Sequence, residues 1–282
     1  MPLRLLIIGC GDVGLRVLRL LAGRCRVYAL TSSPERCAAL WAAGATPLVG
    51  NLDDPATLSR LAGLADMVLH LAPPPTQGEA DTRTRHLLRC LAKAAPKRLV
   101  YVSTTGVYGD AGGARFDETR PVAPATARAR RRVDAEQQLR QFGRRTGVRV
   151  SILRAPGIYA ADRPGGDPRE RVRAGKPVLV AADDVYTNHI HADDLARACL
   201  RALFAGWSQR VWHVCDDSEL LMGDYFDQIA DRAGLPRPRR ITRQEAAQEL
   251  TPLSLSFWSE SRRLDNRRVK RELRLRLNHP LP

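Results

Sequence analysis

Residues 3–14, LRLLIIGCGDVG, constrain the fold more than any other stretch of this 282-residue chain. A short, fully apolar run ends at Gly9, and the spacing of Gly9, Gly11 and Gly14 is G-x-G-x-x-G. Leu15, Val17, Leu18, Leu20 and Leu21 then recur at helical spacing until Gly23. The order is strand, tight turn, helix, and each glycine has a separate task. Gly9 permits the turn, Gly11 lets backbone approach a pyrophosphate, and Gly14 lets the helix pack close to the strand. The helix N-terminus, at Asp12 and Val13, offers unpaired N–H donors and positive dipole potential. A dinucleotide site is expected here, with Gly9, Gly11, Asp12, Val13 and Gly14 in contact with the cofactor.

The first half continues as alternating strands and helices. Residues 26–30, 46–49, 67–71, 99–103 and 148–153 read as strands. Helices are expected from the Ser33-Pro34 cap to Gly44, after Asp54-Pro55, over 83–94 and over 127–142. Such alternation implies a Rossmann-type, doubly wound α/β fold, a parallel sheet with helices on both faces, and ligands beyond the carboxyl ends of its strands. The dinucleotide-binding domain is expected over 1–155. Residues 156–282 read as a mixed region with a smaller, mostly helical, substrate-side part. Within it, 156–168 reads as a Gly/Pro-rich loop outside the core. A helix over 193–204 and a strand over 211–214 are expected to return to the main sheet or its edge. The segment 262–277, RRLDNRRVKRELRLRL, reads as a strongly basic amphipathic helix.

Composition narrows the function classes. With 44% hydrophobic residues the chain can bury a substantial core. No apolar run approaches the ~18 residues of a membrane span, and the N-terminal run lacks a signal-peptide cleavage site, so a cytoplasmic protein without a membrane partner is expected. Cys10, Cys25, Cys37, Cys90, Cys199 and Cys215 show no metal-binding spacing and read as small buried apolar residues. The net charge of +15 is almost wholly arginine, because lysine occurs only at Lys93, Lys97, Lys176 and Lys270. Aromatic residues make up 5% and do not interleave with the charge, so a solvated arginine surface is preferred to a nucleic-acid interface.

In the order of its landmarks the chain resembles the extended short-chain dehydrogenases/reductases of the epimerase/dehydratase kind. The resemblance rests on GCGDVG (9–14), GNLDDPATL (50–58), HLAPP (70–74), YVSTTGVYG (101–109), LRAPGIY (153–159) and HIHADDLARA (189–198), and runs through nearly the whole chain. The tail over 261–277 is similar to an atypical branch of that family. The resemblance implies adenine contacts at Asn51 and Leu52, although the family more often has Asp at 51. It implies ribose and phosphate contacts at Leu71, Ala72 and Pro73, and an approach to the nicotinamide at Pro156 and Gly157.

Cofactor choice follows from charge. Enzymes that use NAD usually end the second strand on a carboxylate for the ribose 2′-hydroxyl. Here the strand ends LTSSPER, which places Thr31, Ser32, Ser33 and Arg36 at that position, with no acid before Glu35. Hydroxyls and a guanidinium suit a 2′-phosphate, so NADP is expected in preference to NAD.

The chemistry departs from the family. The resemblance implies a Ser/Thr after the fifth strand, met by Thr104, and a Tyr-x-x-x-Lys pair on the next helix. In this chain the pair falls on Arg128 and Arg132, with Glu136 following, and no tyrosine lies between 123 and 145. Residues four apart share a helix face, so both guanidiniums are expected to point at the nicotinamide ribose, where Arg132 would hold hydroxyls. A guanidinium stays protonated near neutrality, so Arg128 does not replace a tyrosine as proton donor. Three readings follow. A surrogate acid comes from Tyr108, Tyr159, His189 or His191; or Arg128 binds an anionic small-molecule substrate and hydride transfer proceeds without tyrosine; or the protein is a catalytically silent NADP(H) sensor. Asp193 and Asp194 read as a helix cap. No metal is expected, and a homodimer is compatible with the sequence.

Overall fold

The computed structural model describes residues 3–251, 255–256 and 258–280. Seven strands form its central sheet: β1 (Arg4–Ile8), β2 (Arg26–Thr31), β3 (Thr46–Val49), β4 (Met67–His70), β5 (Arg98–Thr104), β6 (Arg149–Ala155) and β7 (Arg210–His213). Their order is β7-β6-β5-β4-β1-β2-β3, and every pairing is parallel. The inner strands are apolar without alternation because helices cover both faces; Leu5, Leu6, Ile7 and Ile8 of β1 are all fully buried. The winding direction reverses between β1 and β4, which opens a crevice at the carboxyl ends of those two strands.

One face of the sheet is covered by α1 (Asp12–Leu21) and α6 (Ala192–Ala205), which pack together through Val17, Leu21, Leu195, Ala198 and Cys199 among others. The helices α3 (Thr82–Leu91) and α4 (Ala127–Thr146) cover the other. Helix α4 is started by Thr126, whose hydroxyl accepts the Ala129 N–H at 3.2 Å, and is stopped at Gly147, where φ is +74°. It presents Ala135, Leu139 and Phe142 to the core at helical spacing. Further helices among the described residues include α2 (Cys37–Ala42), α5 (Pro168–Arg173), α7 (Met222–Ala233), α8 (Arg243–Glu249) and α9 (Arg267–Glu272). No described helix is long and apolar enough to cross a membrane.

The second half carries the differences from the sequence reading. Strand β7 does join the main sheet, against β6. The Gly/Pro-rich stretch after Ala155 does not begin as a loop: Gly157–Tyr159 pairs in parallel with His189–His191, and Ala160 is buried. That partner lies some thirty residues away, so local composition carried no trace of it. The basic tail is also less helical than expected. Only Arg267–Glu272 is helix, while Arg263–Leu264 pairs as a short strand with Arg115–Phe116. Several of its charges pair with acids, Arg268 with the buried Glu118 and, at the surface, Arg267 with Asp265 and Lys270 with Asp217, while Glu272 receives Arg210. Finally, Asp193 and Asp194 do not cap α6. His191 does, its Nδ1 accepting the Asp193 N–H at 3.2 Å. Asp194 lies fully buried in the first turn and accepts the backbone N–H groups of Asn278 and His279, so it anchors the C-terminal segment instead.

Asp216, just beyond β7, is 2% exposed. One carboxylate oxygen accepts from Ser218, and the other has no partner among the described residues. Burial, with Asp217 and Asp194 nearby, pushes its pKa up to about 7. A carboxyl whose folded pKa lies above its unfolded value contributes stability at low pH and loses it as pH rises from about 4 to about 7. Each pH unit in that window removes up to about 1.4 kcal/mol of this contribution. Chemical denaturation of Asp216→Asn beside the parent is expected to show that slope in the parent minus variant difference; parallel pH profiles would refute it.

Candidate active site

The glycine turn is built as its spacing implies. Gly9 has φ +79°, and a Cβ there would lie 2.6 Å from the Ala72 backbone nitrogen, so strand β1 and the segment after β4 touch without room for a side chain. A Cβ on Gly14 would meet Cys10 Sγ at 2.9 Å, which is why the helix sits close on the strand. Gly11 has nothing within 4 Å of its missing Cβ, and no side chain caps α1. The first amides of α1 therefore open onto free space, as an anion requires. The Cys10 thiol is buried, and its pKa is pushed up to about 11, so it packs and does not react.

Beside this turn lies a hollow of about 190 Å³ bounded by Gly9, Thr31, Ser32, Ser33, Arg36, Asn51, Leu52, Ala72, Pro73 and Arg83, among others. No carboxylate is among its described lining residues. Arg36 reaches back from the segment before α2 and donates to the Cys10 carbonyl at 2.7 Å. The Thr31 hydroxyl is spent inside the turn, accepting the Ser33 N–H at 3.2 Å. Ser33 makes no side-chain cap to the helical turn that follows it. Asn51 holds the Asp53 N–H through its side chain, which shapes the loop after β3. Leu71 is joined to β1 by its backbone, N–H to the Ile8 carbonyl at 2.8 Å, and packs into the core. Arg83, at the start of α3, was not anticipated. Its guanidinium clamps Asp53 with contacts of 2.8 and 2.6 Å and also reaches the Pro73 carbonyl. Its signal in the sequence is faint, since only the fold brings α3 to the end of β3.

Next to the turn is a cluster of charges. Arg16 is 3% exposed and binds Asp12 at 3.0 Å, Asp162 at 2.5 Å and Asp193 at 2.6 Å. Arg163 adds a contact to Asp12 at 2.8 Å. The cluster joins α1, the segment after Tyr159 and the first turn of α6.

At the carboxyl end of β5 and β6 lies a larger cavity of about 400 Å³. Its lining includes Thr104, Arg128, Pro156, Gly157 and His189, the larger side chains Tyr186, Met222, Phe226 and Trp258, and the charged Arg171, Glu260 and Arg262. Thr104 is oriented by accepting the Gly106 N–H at 3.3 Å. Arg128 and Thr104 thus face one space. Arg132 is directed elsewhere, donating to the Tyr101 hydroxyl at 2.9 Å and the Val102 carbonyl at 3.0 Å.

This arrangement of sheet order, glycine turn and cavity agrees with the comparisons. A family model described as the NAD dependent epimerase/dehydratase family matches residues 5–215. The chain belongs to that family. The solved structure of a conserved protein of unknown function from Silicibacter pomeroyi superposes with TM-score 0.81 at 30% identity, over 98% of this chain and 94% of that one. A dTDP-glucose 4,6-dehydratase from Streptomyces venezuelae, solved with NAD bound, gives TM-score 0.78 at 23% identity over 98% and 92%, a likeness of fold. Among sequence relatives, a dTDP-glucose 4,6-dehydratase from Mycolicibacterium smegmatis is 29% identical over 66% of each chain. Protein YeeZ of Escherichia coli is 30% identical over 50% of this chain and 48% of that protein. In these matches the chain spans 48% to 66% of its relatives' lengths.

Within this family member the four candidate proton donors separate. Tyr108 is fully buried; its hydroxyl lies 2.6 Å from His213 Nε2 and 2.6 Å from Arg154, and burial pushes its pKa up to about 12. Tyr159 and His191 line a different hollow, with His279 stacked on His191 at 3.6 Å between ring centroids. His189 lines the large cavity, but burial lowers its pKa to about 3, so its ring is neutral. Arg154 in turn grips Glu136 through two contacts of 3.0 and 2.6 Å, and Ser103 donates to the same carboxylate. That buried chain from α4 to β7 explains why Glu136 and Tyr108 stand where they do: they hold elements together.

The two glycines have different failure modes. Gly11→Val is expected to leave the unfolding midpoint near that of the parent, within about 1 kcal/mol for a surface-facing change, and to abolish dinucleotide binding. Gly9→Val is expected to destabilise the fold itself, because φ is positive and the space is filled. Thermal unfolding together with cofactor titration of both variants checks this; cofactor binding by Gly11→Val like the parent's would make the turn merely a turn.

Proposed function

We propose that this protein binds NADP(H) and catalyses a reduction or oxidation of an anionic small molecule at a site that works without the family's tyrosine. The observation that carries the cofactor choice is the lining of the smaller hollow: hydroxyls from Ser32 and Ser33, guanidiniums from Arg36 and Arg83, and no described carboxylate, while the Thr31 hydroxyl stays bonded within the turn. A 2′-phosphate meets donors there and no repulsion. The free N-terminus of α1 suits the pyrophosphate, and Pro156 and Gly157 border the space where a nicotinamide would lie. When bound, the nicotinamide would supply hydride chemistry beside Thr104.

The chain's own residues then have limited roles. Thr104 offers a hydroxyl to a substrate carbonyl or alcohol. Arg128 supplies a fixed positive charge for a carboxylate, a phosphate or a developing oxyanion, without serving as proton donor. The wall of Tyr186, Met222, Phe226 and Trp258 accommodates an apolar or planar portion of the substrate. A second reading, a catalytically silent NADP(H) sensor, is favoured by one observation. None of the four candidate acids combines a place in the large cavity with a pKa suited to proton donation near neutral pH.

Calorimetric titration is expected to give tighter binding of NADPH than of NADH. Arg36→Ala should weaken NADPH by about 1.5–3 kcal/mol, the usual worth of a hydrogen bond to a charged group, and leave NADH little changed. Equal affinities in the parent would refute the cofactor assignment.

Turnover separates enzyme from sensor. NADPH oxidation is expected with an anionic carbonyl substrate from a panel that also includes nucleotide sugars, and Arg128→Ala should lower kcat/KM by at least about tenfold, the equivalent of one lost charge contact. Silence across the panel with NADPH still bound would favour the sensor.

A further inference from the structure

The charge cluster on α1 has a composition that packing alone does not require. Two guanidiniums, Arg16 and Arg163, face three carboxylates, Asp12, Asp162 and Asp193. Arg16 is buried and shared among all three. Arg163 is different. It is half-buried, contacts a single carboxylate of the cluster, and that carboxylate belongs to the first residue of α1.

The segment that carries Arg163 is folded to deliver it. Ala160 donates to the Gly166 carbonyl at 3.1 Å, Arg163 to the Ala160 carbonyl at 3.2 Å, and Gly166 to the Arg163 carbonyl at 2.9 Å, which closes a compact loop. A Cβ at Gly166 would lie 2.5 Å from Arg163 Cδ, so the absence of a side chain there lets the arginine lie across its own loop toward the helix. Neighbouring residues in the loop pair with opposite charges on one helix: Asp162 with Arg16, and Arg163 with Asp12. The guanidinium is thereby held against the one end of α1 whose amides are uncapped.

We propose that Arg163 is a cofactor-binding residue whose guanidinium engages the pyrophosphate at the N-terminus of α1. The inference rests on the dinucleotide reading above. An anionic pyrophosphate settling on the α1 amides comes close to the Asp12 carboxylate, a like charge. A guanidinium already beside Asp12 needs only a change of side-chain torsions to bridge the two, and its planar donor fork matches phosphate oxygens. The pair of Asp162 with Arg16 keeps the loop in place while the guanidinium turns.

The test titrates the full chain and its Arg163→Gln and Arg163→Lys variants with NADPH and with 2′-AMP, which carries the 2′-phosphate and lacks the pyrophosphate. Thermal unfolding establishes that each variant is folded. NADPH affinity is expected to fall about tenfold or more in Arg163→Gln, as for a lost charge-assisted hydrogen bond. It should fall less in Arg163→Lys, which keeps the charge, while 2′-AMP binds all three alike. Unchanged NADPH affinity in Arg163→Gln overturns the proposal, and so does an equal loss of both ligands, which would mean that the loop only shapes the site. Failure of the parent to bind either ligand would instead remove the dinucleotide reading itself, and the proposal with it.

Discussion

An uncapped helix end at the reversal point of a parallel sheet is the constraint on which the rest depends. Helix α1 begins with no side chain satisfying its first amides. It begins at the carboxyl end of β1, where strand order turns from β2 on one side to β4 on the other. Those donors are costly to leave unmet inside a protein and cheap to leave facing solvent or an anion. The glycines keep that end bare, and the surrounding segments are positioned by it. Ala72 abuts Gly9, Arg36 returns to the Cys10 carbonyl, and the loop carrying Asp162 and Arg163 is tied to the helix just behind it.

A second constraint is the disposal of so many arginines. The chain does not simply wear its net charge on an even surface. Arg154 is buried against Glu136 and Tyr108, Arg16 is buried against three aspartates, and the half-buried Arg268 pairs with Glu118 and Asp117. A buried guanidinium is tolerable only when nearly every donor is matched, which makes these clusters fix geometry more than add stability. Arg132 is held by Tyr101 and Val102, and Arg128 lines the large cavity. One helix turn separates them, and their surroundings, not their shared face, decide where each guanidinium goes.

Much of the fold was legible in the chain. The fully apolar strands, the glycine spacing, the Thr126 start of α4 and the alternation of elements are local signals, and the sheet they imply is the one observed. The hollow beside the glycine turn also gathers Thr31, Ser32, Asn51, Leu52, Ala72 and Pro73, because each follows closely on a strand whose direction the sequence makes plain, and Arg36 from the turn before α2. Tyr108 was ambiguous for an equally physical reason. A tyrosine near the end of β5 can face the cavity or the interior, and only the presence of His213 and Arg154 behind it sends the hydroxyl inward.

What the sequence determined by itself was therefore everything carried by short-range pattern: strand and helix types, the anion-ready turn, the absence of a carboxylate at the end of β2, and the lack of a tyrosine between 123 and 145. Tertiary structure alone decided the pairings between distant segments. It made a strand of Gly157–Tyr159, gave α6 its His191 cap, paired the basic tail with acids, and brought Arg83 to the hollow beside the glycine turn and Arg163 to Asp12. A hydrogen bond or an ion pair depends on where its partner lies in space, and for a partner thirty or a hundred and fifty residues away that place exists only once the sheet has formed.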